Sequence, residues 1–67
     1  MSADTTLTPA QKAVIITLRY RDADWAADEA EMRWINGETW SPDNWSNPAF
    51  WDLQGPVAAA NEQAARK

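Results

Sequence analysis

A chain of 67 residues with a net charge of −4, no cysteine and no histidine forms one small domain, near the lower size limit for folding without disulfides or a structural metal. The missing cysteines exclude a disulfide framework and a thiolate zinc site, and the missing histidines remove the commonest general base and transition-metal ligand at neutral pH. Between Asp22 and Asp52 eight carboxylates stand against one base, Arg33, a local charge of −7; such a field repels phosphates and favours basic partners over direct contact with nucleic acid.

In chain order, residues 1–7 are polar and aperiodic, which predicts a flexible tail ahead of a single domain at 8–67. Thr8-Pro9-Ala10-Gln11 matches a capping box, with proline at the first helical position. The following KAVIITLRYR supports two readings. Its β-branched residues and alternation suit a strand at 13–20, whereas the capping box leaves no room for a turn before Lys12 and favours a helix with Ala10, Val14, Ile15 and Leu18 on one face and Lys12 and Arg19 outside. Asp22 and Asp24 are then N-cap candidates for WAADEAEMRWIN, a helix-rich run that stops at Asn36-Gly37. Ala23, Ala26, Ala27, Ala30 and Trp34 share its inner side, while Asp24, Asp28 and Glu31 line the outer side at i, i+4 and i+7, with Asp22 and Glu29 beside them. Asn36-Gly37 also fits a type I′ hairpin turn.

Residues 34–51, WINGETWSPDNWSNPAFW, hold Trp34, Trp40, Trp45, Trp51 and Phe50. Each large aromatic buries roughly 150–250 Å², so this stretch predicts most of the core, with at least three of the five tryptophans mostly buried. Ser41 before Pro42 and Asn47 before Pro48 predict two short helical turns that carry indoles inward. Gly55-Pro56 separates this stretch from an alanine-rich helix from Val57 to Lys67 that has one large apolar residue, Val57, and ends in Arg66 and Lys67, which complement its dipole. The expected fold is all-α, a small single-domain bundle of short helices around a tryptophan-rich core; the alternative is α+β, with the strand at 13–20 and the hairpin at Asn36-Gly37.

The candidate binding surface is acidic: Asp22, Asp24, Asp28, Glu29 and Glu31, extended by Glu38 and Asp43. Carboxylates one helical turn apart recur about every 6 Å, close to the phosphate spacing along one strand of a duplex, so the row can mimic phosphates for a groove lined with lysine and arginine. Its plain alternative is a solvated helix face. Trp25, Trp40 and Trp45 are the candidate aromatic anchors, because exposed tryptophan is enriched at binding hot spots. Lys12, Arg19 and Arg21 are expected to face solvent or pair with Asp22, Asp24 or Glu29. No catalytic residues, metal ligands or cofactors are expected: the Asp22-Ala23-Asp24 segment lacks the glycine and glutamate of a calcium loop, and no histidine or desolvated lysine is placed to activate a serine, threonine or tyrosine. No stretch approaches the ~20 apolar residues of a membrane span, and the N-terminus lacks the features of a secretory signal, which predicts a soluble protein.

Leu7 to Asp22, LTPAQKAVIITLRYRD, resembles the opening helix of sigma-factor-type helix-turn-helix domains, but no basic recognition helix follows. In size, charge and lack of catalytic residues the whole chain resembles the small acidic inhibitors encoded by bacteriophages, among them the anti-CRISPR proteins; no motif carries the likeness, so it transfers no site residues. It implies a stoichiometric inhibitor, not an enzyme, acting in the cytoplasm of an infected bacterial host on a basic nucleic-acid-binding protein. The alternatives are a small phage structural or assembly protein with an aromatic surface, and a carbohydrate-binding module.

Overall fold

The computed structural model describes residues 7–65, which form three helices with no strand among them: α1 (Pro9–Tyr20), α2 (Asp24–Ile35) and α3 (Gln54–Ala65), the last entered through a 3₁₀ turn at Trp51–Leu53. The α+β alternative is thereby overturned. The capping box decides residues 13–20: the Gln11 amide donates to the Thr8 hydroxyl at 3.2 Å, and the Thr8 amide donates to Gln11 Oε1 at 3.0 Å. Gln11 also ties helices together, for its buried Nε2 donates to the Ala60 carbonyl at 3.1 Å. Leu7, expected in the tail, packs against the core; the rest of that expected tail, residues 1–6, lies outside the described residues, as do Arg66 and Lys67.

Two helix ends share one device. At the end of α1 the Ala23 amide donates to the Leu18 carbonyl and the Asp22 amide to that of Arg19, while Asp22 takes a left-handed φ of 62°. This is the paired-bond stop usually built on glycine, and aspartate is among the few other residues that tolerate the geometry. Asp22 thus closes α1 and does not cap α2. The N-cap of α2 is Ala23, which has no side chain to offer, and Asp24 is already the first helical residue. At the end of α2 the Gly37 amide donates to Trp34 and that of Glu38 to Arg33, with Gly37 at φ 81°. Asn36-Gly37 is therefore the helix stop and not a hairpin.

The α2 face built from Ala23, Ala26, Ala27, Ala30 and Trp34 is buried throughout, and its alanines let α1 approach closely with Val14, Ile15 and Leu18. Of the two short helical turns expected between α2 and α3, the one at Pro42 does not form, and the one at Pro48 forms but does not extend into a helix. Pro48 is the second residue of a turn closed by the Phe50 amide on the Asn47 carbonyl at 2.9 Å, and the Asn44 and Asn47 side chains accept from Ser46 and Ala49. These side-chain bonds imitate a backbone turn and compete with helix. α3 begins earlier than expected, so that Gly55 and Pro56 lie in its first turn, where a missing N–H costs nothing.

The aromatic core is smaller than its tryptophan count suggests. Trp34 meets Trp40 edge to face at 6.0 Å and Trp40 meets Phe50 at 6.3 Å; Trp45 is partly buried, while Trp25 and Trp51 are exposed. Trp34 and Trp40 are almost fully enclosed, and Trp45, packed against the core, brings the mostly buried indoles to the expected three. The N–H groups of the two enclosed rings differ: Trp34 Nε1 donates to Asn61 Oδ1 at 2.8 Å, whereas the buried Trp40 Nε1 finds no acceptor among the described residues. Trp34→Phe should therefore cost about 1 kcal/mol more than Trp40→Phe, because only the former loses a hydrogen bond. Urea titration of the two variants measures the difference, and equal losses would contradict it.

Candidate functional site

α2 presents its outer face to solvent with Trp25, Asp28, Glu29 and Met32 exposed along it. Arginines interrupt the acidic row on both flanks. From α1, Arg19 Nη2 reaches Asp28 Oδ1 and Glu31 Oε1, both at 3.1 Å. On the other flank Arg33 lies 3.8 Å from Glu29 and 3.6 Å from Glu38. Neither Arg19 nor Arg21 pairs with the acids expected from sequence, because the lean of α1 on α2 brings Arg19 a turn further along. Asp22, Asp24 and Asp43 join no ion pair among the described residues.

Exposed pairs of this kind are worth about 0–1 kcal/mol each, so they hold side chains in place more than they fix the fold. They also leave the face acidic, since the seven candidate carboxylates outnumber Arg19 and Arg33 by five. Asp43 sits apart from the α2 row, in an open polar cleft of about 320 Å³ with Glu29, Arg33, Thr39, Trp40, Ser41 and Asn61. Of the seven acids, Asp24, Asp28, Glu29 and Glu31 lie on α2, Asp22 in the turn before it and Glu38 just after it, while Asp43 shares its cleft with Glu29.

No protein-family model matches the sequence, and no curated protein or solved structure matches it. The functional reading therefore rests on the chemistry of the surface alone.

Of the three aromatic anchor candidates, Trp25 is 60 % exposed, Trp45 is partly buried against the core, and Trp40 is 3 % exposed. Trp40 is thereby corrected from anchor to core residue: its backbone N–H and C=O are both held by Asn61 on α3, at 2.8 and 2.7 Å, which draws the ring inward. Two exposed aromatics escaped the sequence reading, Trp51 at 62 % and Tyr20 at 89 %.

Arg21, beside Tyr20, organises this end of the molecule. Its guanidinium donates to the Ala49 carbonyl at 2.8 Å and forks onto both Asp52 oxygens at 2.9 and 3.0 Å. The Arg21 hydrogen bond holds the Asp52 carboxyl below the usual carboxylate range, and the same bond raises the Arg21 pKa. The fork fastens the turn before α3 to the end of α1. Among the described residues no group of three or more aspartates and glutamates is placed to hold a metal ion, and no helix is long and apolar enough to cross a membrane.

Proposed function

We propose that this chain is a stoichiometric inhibitor that binds a basic, nucleic-acid-binding site of a host protein, in the manner of phage-encoded inhibitors such as anti-CRISPR proteins. One observation supports this reading above the rest: Trp25 stands exposed on the same outer face of α2 as Asp28 and Glu29, so one helix offers both a field that steers a basic partner and an apolar anchor that holds it. The arginines at the flanks break the even spacing a phosphate row would need. Recognition is accordingly assigned to net field and anchor, not to a phosphate-by-phosphate copy.

The test is the double reversal Asp28→Lys/Glu31→Lys, made beside Arg19→Gln, which breaks the same ion pairs but keeps the acids. The reversal is expected to weaken binding to a partner captured from bacterial lysate by about 100-fold or more, with circular dichroism unchanged, while Arg19→Gln binds as well as the parent. Competition by the partner's own nucleic acid, and loss of binding as salt rises, complete the expected pattern. Inhibition that survives the reversal discards the proposal. The exposure of Tyr20 and Trp51 favours a second reading, an assembly protein using an aromatic surface, for which association would persist at high salt.

A further inference from the structure

We propose that the end of the bundle where α1 turns into α2 is a receptor for arginine side chains, which lie against the indole faces of Trp25 and Trp51. This deepens the inhibitor reading and rests on it for the identity of the partner as a basic protein. Three exposed aromatics gather at this end. Tyr20 is the last residue of α1 and Trp25 the second of α2. Trp51 is brought to them because Arg21 grips Ala49 and Asp52 on either side of the Phe50-Trp51 pair, and because the ring of Trp25 meets that of Phe50 edge-on at 5.9 Å.

Trp51 is exposed yet fixed. Its Nε1 donates to the Ser46 carbonyl at 2.6 Å, so the ring is oriented before anything binds and little freedom is lost on contact.

The charges around these rings select the occupant. Arg21 is committed to Asp52 and offers no free cation to repel another. Asp22 and Asp24 immediately precede Trp25 in the chain, at the turn into α2, and join no ion pair among the described residues. A ring face beside an unpaired carboxylate suits a cation, and a planar guanidinium can stack on the indole while forking onto the acid, which a lysine ammonium cannot do. A second copy of the chain suits the patch poorly: Arg19, Arg21 and Arg33 are each already in an ion pair within their own chain.

The test uses hexa-arginine and hexa-lysine peptides as probes, with affinities read from tryptophan fluorescence and calorimetry at low salt. Hexa-arginine is expected to bind about tenfold tighter than hexa-lysine, and Trp25→Ala/Trp51→Ala should erase that preference. Asp22→Asn/Asp24→Asn, which leaves every ring in place, should weaken hexa-arginine several-fold and serves if the aromatic variant does not fold. Equal binding of the two peptides, no binding of either, an arginine preference that survives Trp25→Ala/Trp51→Ala, or hexa-arginine binding unchanged by Asp22→Asn/Asp24→Asn overturns the receptor. These results are separable from those of the inhibitor reading, which stands or falls on partner binding by the Asp28 and Glu31 reversals.

Discussion

Asn61→Ala should leave the protein largely unfolded at 25 °C. Asn61 Oδ1 accepts from Trp34 Nε1 and from the Trp40 amide, both at 2.8 Å, and its Nδ2 donates to the Trp40 carbonyl at 2.7 Å. One side chain on α3 therefore fixes an indole of α2 and both backbone groups of the segment that follows it. Alanine strands two donors and one acceptor in partly buried positions, at about 1–3 kcal/mol for each group left unpaired. A chain of this size has a total stability of only about 3–10 kcal/mol, so the loss is comparable to the whole. Urea unfolding followed by circular dichroism measures it. Asn61→Leu separates the causes, because leucine restores volume without hydrogen bonds. It should be nearly as damaging as alanine, and recovery to the parent midpoint would show that Asn61 merely fills space.

Asn61 also shows what the sequence conceals. Val57, Asn61 and Ala64 follow one another at helical spacing with two buried members, a pattern that places the asparagine on the inner face; nothing in the sequence says that its partners lie 21 and 27 residues away. Local signals fared better. The capping box at Thr8, the stop at Asn36-Gly37 and the alanine face of α2 are written in adjacent residues and appear where expected. The left-handed Asp22 was missed because aspartate also caps helices, and the competing geometry is settled by Leu18 and Ala23 packing inward together. The acidic row was legible as a composition. Its interruption by Arg19 was not, since that depends on how far α1 slides along α2. Tryptophan count likewise does not say which rings are inside: Trp51 lies beside the buried Phe50 but points outward, held by Ser46.

The balance between helix packing and aromatic packing yields the other large effect. Leu18→Ala should cost about 2–5 kcal/mol, the range for truncating a fully enclosed leucine, whereas Trp51→Ala should cost no more than about 1 kcal/mol. By size alone the order would be reversed. Leu18 is 0 % exposed, and its carbonyl accepts from the amide of Ala23 at 2.9 Å, so it sits where α1 ends and the chain turns back into α2. Truncation there opens a cavity beside alanines that have no side chain to extend into it. Trp51 is 62 % exposed and stands outside the core cluster, so its truncation forfeits the bond to Ser46 and little enclosed packing. Paired urea titrations rank the two variants. A Trp51→Ala loss equal to that of Leu18→Ala would place this indole in the core, and would remove the rigid, accessible ring that the arginine receptor requires.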